Sequence, residues 1–570
     1  MKPTSKFFAL LILVAAVYGQ TDISREKLDS LYYKILSSHN ITNIKFPSPF
    51  TADEGTIKCG FGLNAEIKYY FDQFTLEQQF TLQKVMSRPD LQTSIVSKSG
   101  KFRIHYDETG TNKPAYEPTL SAIENAQLVA DAFDSSYAFE VGYLKYPEPP
   151  KDNGKGGDDL YDIYIINYNG SYYAETWSDS LIGNRLYTSY MEFENDFNDK
   201  YNNGEYKYTT QGINGARVTA AHEFHHAIQI GNYALKTADL YFHELTSTSM
   251  EEFVYDSIND YYDYLSDFFY KPACSFTEFT EGNAIYGQGI WNIFLFEKYG
   301  TITYDIIKRQ WELFRQTSAL EAINTSLSEN QISFKQALNE FGVWCYLTNY
   351  RKSSETEGHS FSEGKNYPVL KPSASRIFSG TDSSFALSTK PMANNFIRVL
   401  SNNGTYIDTI IAIVTNADFS NGLTSPNSDF AFMLNMYNYE AAGSQKITNN
   451  YYAKLTTTND FYKLATIFNN EVNPGENSTI VTADYVFPNP FRYSKQNKIY
   501  IPVEYNADMF ASFNIYSVDM NLVYSSDGKI QTLFDKFVLS WDGMDNNHKK
   551  LPTGVYIYIS NSDDKLKKGK

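Results

Sequence analysis

Three of the 8 histidines of this 570-residue chain fall within five positions, in the run His222-Glu223-Phe224-His225-His226. His222 and His226 are four apart, about one α-helical turn, so both imidazoles can face one point. That spacing suits Zn²⁺, which takes nitrogen ligands in a tetrahedral shell. Glu223 follows the first histidine, where its carboxylate reaches the remaining, water-filled position. Zinc lowers the pKa of such a water toward ~7, and the carboxylate takes its proton as it attacks a carbonyl. The expected roles are His222 and His226 as metal ligands and Glu223 as general base. His225 pairs with His222 only at i and i+3, so it is expected beside the site or at the surface. With so few histidines, chance gives this pattern in roughly one such chain in a hundred.

A third protein ligand must come from elsewhere. No Gly-x-x-His follows the motif, so the metzincin arrangement is absent. Residues 239–256 read as the next helix and offer His243, Glu244, Glu251 and Glu252. A glutamate would make a two-His, one-Glu site and His243 a three-His site; spacing alone leaves both open. A developing oxyanion also needs a donor, for which Tyr255, Tyr286 and His243 are candidates. Cys59 precedes all of these, and a thiolate can occupy zinc's open position, as a latch would.

These residues need a helix under them. Residues 216–230 contain neither Pro nor Gly, with Ala220, Ala221, Ala227 and Ile228 as apolar packing and Gly231-Asn232 as a stop. Upstream, residues 24–37, 75–86 and 119–140 have helical patterns, with Thr75 as an N-cap. Residues 101–106 alternate like a strand, and 161–168 and 186–193 are further strand candidates. Met191-Glu192-Phe193 is expected at a sheet edge, able to pair with an extended peptide. Residues 151–159 read as a solvated acidic loop without EF-hand spacing. Several helices follow from 216 to 350. Near residue 365 helical periodicity fades into short β-like runs, with a β-rich module to about 480 and a last module from 485.

Composition narrows the partners. Net charge is −17 and the pI about 5.0. Phosphate contacts need clustered Lys and Arg, so no nucleic-acid partner is expected. The only long apolar run, residues 7–17 behind Lys2 and Lys6, is too short to span a bilayer and reads as a secretion signal cleaved before Gln20. No transmembrane segment is expected after that. The 3 cysteines exclude a disulfide framework. If a bridge forms, Cys274–Cys345 is the expected one.

Lys58-Cys59-Gly60, Phe102 to Tyr106, His222 to Gln229, Glu244, Met250-Glu251-Glu252 and Val254-Tyr255-Asp256 together resemble a family of secreted bacterial metallopeptidases of the gluzincin type. The resemblance covers about residues 58–350 and implies Glu244 as third ligand. The chain departs from it at Leu245-Thr246-Ser247, where the family has a small Gly-x-Ala. Tyr286-Gly287 is also family-like and puts Tyr286 first as oxyanion donor. The last module, with Phe487-Pro488-Asn489-Pro490, Trp541-Asp542-Gly543 and Pro552-Thr553-Gly554, resembles the Ig-like sorting domain of the type nine (Por) secretion system. That implies a secretion-machinery partner.

The expected architecture is multidomain: an α+β zincin-like catalytic domain followed by β-sandwich-type modules, the last Ig-like. Its parts are a signal peptide (1–19), an N-terminal segment or pro-region (20–100), the zincin-like domain (101–365), a β-rich accessory module (366–480) and the C-terminal sorting domain (485–570). The expected function is a secreted or cell-surface zinc endopeptidase acting on protein or peptide. The alternatives are a non-catalytic adhesion protein with a structural zinc helix and a zinc hydrolase of a non-peptide amide.

Overall fold

The computed structural model describes residues 23–39, 41, 56–278, 282–378 and 389–401, and shorter stretches between 408 and 569. The signal reading of residues 1–19 and the boundary at 480–485 lie outside the described residues. The chain is a mixed α/β, multidomain molecule with several separate sheets.

The site rests on a six-stranded sheet. Its strands are β1 (Ile57–Cys59), β2 (Thr93–Val96), β3 (Phe102–Tyr106), β4 (Tyr161–Ile166), β5 (Tyr172–Gly183) and β6 (Leu186–Glu194). Their order is β1-β5-β6-β4-β3-β2, with β1 parallel to β5, and β3, β4 and β6 mutually parallel. β6 is therefore central, and the edge-strand expectation for Met191-Glu192-Phe193 is corrected: β1 and β2 are the edges. The physical reason is visible in the strand itself, since residues 188–194 are all buried, as a strand covered on both faces requires. A boundary at residue 100 would also cut this sheet, because β1 and β2 lie before it.

Period-two alternation sends the two strand faces to different helices. Ile104, Ile163, Met191 and Thr176 form one cross-strand row, and the three apolar members join the core beneath α4 (Ala122–Tyr137) and α5 (Gly212–Asn232). Tyr164, Tyr190 and Trp177 point the other way, onto Leu28, Leu31 and Ile35 of α1 (Arg25–Ser38). Local chemistry sets several helix starts. α3 (Leu76–Val85) begins at a Thr75–Gln78 capping box, and α4 at a Ser121–Glu124 box. α2 (Phe61–Tyr70) follows β1 directly.

His39, at the end of α1, ties that helix to the sheet. Its Nε2 lies 2.8 Å from Glu175 of β5. Burial pulls the imidazole pKa down, but the Glu175 and Glu192 charges outweigh it and hold it up at about 9. A raised pKa stabilises the fold fully below the unfolded value of 6.5 and stops doing so as pH rises through about 9. Thermal unfolding at pH 6 and pH 9.5 should therefore show a loss on the order of 3 kcal/mol that His39→Asn largely abolishes. Equal pH sensitivity in both proteins would contradict this.

Beyond the sheet, α6 (Leu240–Val254), α7 (Tyr262–Phe269), α8 (Ala284–Gly287), α9 (Ile290–Tyr299), α10 (Ile302–Phe314), α11 (Ala319–Glu329) and α12 (Phe334–Tyr346) complete the helical part. Gly287 lets α8 approach α7, since a Cβ there would stand 2.8 Å from the Tyr264 carbonyl oxygen. A five-stranded sheet follows, its strands being residues 374–378, 393–401, 408–416, 430–438 and 446–453. It shares the main core with α12: Asn339 donates to the Ile413 carbonyl at 3.2 Å. Strands between residues 499 and 569 form a three-stranded and a four-stranded sheet around Ile501, Phe513, Leu539 and Trp541. All three cysteines are free thiols, so the Cys274–Cys345 bridge is corrected. Among the described residues, no helix is long and apolar enough to cross a membrane.

Candidate metal centre

α5 runs across the sheet with residues 218–231 buried without a break. A helix enclosed on all sides carries polar residues only where each has a partner. Each histidine here has one. His222 Nδ1 lies 2.7 Å from Glu251 Oε1, and His226 Nδ1 lies 2.9 Å from Gln229 Oε1. These partners occupy both Nδ1 atoms and leave the Nε2 atoms to converge, 3.2 Å apart. Such outer-shell acceptors are what orient metal-binding imidazoles.

α6 supplies the rest. Glu244, Ser247 and Glu251 follow one another at three- and four-residue steps, so one helical stripe faces α5. Glu244 Oε2 lies 3.1 Å from His222 Nε2 and 3.4 Å from His226 Nε2. The three distances are 3.2, 3.1 and 3.4 Å. A tetrahedral shell with metal–nitrogen bonds of about 2.0–2.1 Å has edges of roughly 3.3 Å. The residues therefore fit a zinc ion. Cys59 Sγ joins them: the four ligand atoms all lie within 4.8 Å of one another, and all four residues are buried.

The electrostatics of these groups without a cation follow from their crowding. Burial raises the Glu244 carboxyl, but the His226 and His222 imidazoles outweigh it and hold it at about 2. Burial lowers His222, and its bonds to Glu244 and Glu251 bring it up to about 9. Burial, then the Glu223 and Glu244 charges, pushes the Cys59 thiol well up. A divalent cation reverses that last effect, since a coordinating thiol is deprotonated.

Glu223 sits beside this cluster, fully buried. Its Oε2 accepts from Thr176 Oγ1 of β5 at 2.6 Å, and its Oε1 has no partner. Tyr286 of α8 places its ring 6.0 Å from His222 and donates its hydroxyl to the Cys59 carbonyl at 3.3 Å. The remaining candidates fall outside the ligand cluster. His243 bonds Gln229 Oε1 at 2.9 Å, Tyr255 donates to the Ala132 carbonyl, and the Glu252 carboxyl, raised to about 9 by burial and then by Glu363, is not among the converging groups. His225 is neither on the surface nor a ligand. It is fully buried, 2.7 Å from Glu140.

Thr176, Ser247 and Lys58 take roles that the sequence did not assign them. Thr176 lies on β5, a strand that sequence reasoning did not single out. Ser247, within the segment that departs from the family pattern, lies 3.2 Å from His226 Nδ1. Lys58 is buried, ion-paired to Asp260 and, at 3.0 Å, to Glu251. It thus backs the carboxylate that orients His222. The centre is closed to solvent: Tyr286 is 7%, Cys59 5% and Glu244 2% exposed, and His222, Glu223 and His226 are 0%. No family model matches this chain, and no curated protein matches it.

Proposed function

We propose that the chain is a secreted zinc endopeptidase of the gluzincin type. The observation that carries this reading is the convergence of His222 Nε2, His226 Nε2 and Glu244 Oε2 at tetrahedral spacing beside a buried Glu223 with one free carboxylate oxygen. His222, His226 and Glu244 would hold the metal. Zinc, when bound, polarises a carbonyl and acidifies a water. Glu223 accepts that proton at Oε1, the oxygen Thr176 leaves free, and returns it to the departing amine nitrogen. Thr176 fixes the rotation of the carboxylate. Tyr286 supplies a hydroxyl to the carbonyl oxygen as charge develops, giving up its bond to Cys59. The β-sheets of residues 499–569 agree with an Ig-like sorting module, and a secretion signal in residues 1–19 completes the export reading.

One observation favours a second reading. Cys59 in the cluster would make four protein ligands, and a closed shell is the mark of a structural zinc site. Casein hydrolysis by zinc-loaded wild type and Cys59→Ala, with and without chelator, separates the two. Hydrolysis by either protein that chelator abolishes and zinc restores supports the peptidase. Two zinc-loaded proteins that both leave casein intact, and then a broad set of peptides, would sink it.

A further inference from the structure

We propose that Cys59 is the fourth ligand of the metal and holds the centre in a closed, latent state, as a resident cap rather than a removable one. This rests on the metal-site reading above. The thiol sulfur is grouped with His222, His226 and Glu244 by the mutual 4.8 Å spacing of their ligand atoms. The backbone N–H of Phe61 donates to it at 3.3 Å, which fixes where the sulfur sits. Glu223, fully buried, lies beside the thiol in side-chain contact with it and has no partner at Oε1. The cluster therefore gathers four converging donors beside a buried base.

The segment carrying the thiol is built into the fold. Ile57 and Cys59 pair in parallel with Tyr172 and Ala174, and the Gly60 N–H donates to the Ala174 carbonyl at 3.1 Å. Lys58 is locked between Glu251 and Asp260. Gly60 itself is pressed against Glu175, whose carboxylate leaves no room for a Cβ there. The Phe61 ring stacks on His226 with centroids 4.0 Å apart. Residues 57–61 are thus one clamp across the sheet edge and the metal ligands. Cutting the chain ahead of residue 57 would leave Cys59 in place, so opening requires the sulfur to leave the metal. This departs from a pro-segment latch, which proteolysis would carry away.

The test uses the full-length protein stripped of metal and loaded with one equivalent of Co²⁺. A thiolate ligand gives cobalt an intense near-ultraviolet charge-transfer band, distinct from its visible ligand-field bands. Wild type should have both. Cys59→Ala should still take up one cobalt and keep the visible bands, but lose the charge-transfer band. A cap closed nine-tenths of the time lowers apparent activity about tenfold, so zinc-loaded Cys59→Ala should hydrolyse casein at least ~10-fold faster than wild type. Cobalt bound without the thiolate band, or the band persisting in Cys59→Ala, overturns the cap and leaves the metal site standing. Loss of the band with no gain in activity overturns the closing role. No cobalt uptake by wild type overturns both the cap and the metal site. Zinc X-ray absorption on wild type needs no variant: one sulfur at about 2.3 Å is expected, and a shell of nitrogen and oxygen alone contradicts the proposal.

Discussion

Glu223→Gln should keep its zinc and lose at least ~10² in peptide hydrolysis. The substitution preserves size and helix propensity, and the amide oxygen can still accept from Thr176. It removes only the ability to take a proton at the oxygen that Thr176 leaves free. Running the comparison in a Cys59→Ala background removes any ambiguity from a closed centre. Zinc content by mass spectrometry and initial rates on a fluorogenic peptide decide it. Undiminished turnover in a zinc-loaded Glu223→Gln protein would take Glu223 out of the mechanism.

Glu244→Ala should weaken zinc binding by more than the ~10–100-fold typical of losing an outer partner. Glu244 is the only carboxylate in the converging set, close to both Nε2 atoms. Glu251→Gln, whose contact with the cluster is through His222 Nδ1 while its other oxygen pairs with Lys58, should fall within that ~10–100-fold range. His243→Ala should largely keep the metal, since its ring bonds Gln229. Competition titration against a chelator of known affinity ranks the three. If His243→Ala alone lost the metal, the site would be of the three-His kind and the Glu244 assignment would fail.

The convergence of His222 and His226 was legible because its geometry is local. His222 and His226 share a helix, and one turn of helix fixes their relation wherever the chain goes. Glu244 lies on the next helix, and choosing it over Glu251 needed the family resemblance, because both positions fall on the same stripe facing α5. What the sequence left dark depends on long-range pairing. Thr176 meets Glu223 across 47 positions, and Lys58 meets Glu251 across 193. No periodicity carries such contacts. The placing of Met191-Glu192-Phe193 at an edge failed for the same kind of reason. Chain order puts β6 just before α5, but strand order sets it between β5 and β4. Cys59, read from the chain as part of a separable segment, proves to lie on a strand of the main sheet.

One divalent ion should bind in the centre formed by α5 and α6. Zinc stoichiometry by inductively coupled plasma mass spectrometry, on full-length wild type purified without chelator, tests it most directly when paired with His226→Ala. One zinc per chain in wild type, and none retained by a folded His226→Ala protein, is the predicted result. Wild type without zinc after exposure to excess metal, or His226→Ala retaining a full equivalent, would contradict it.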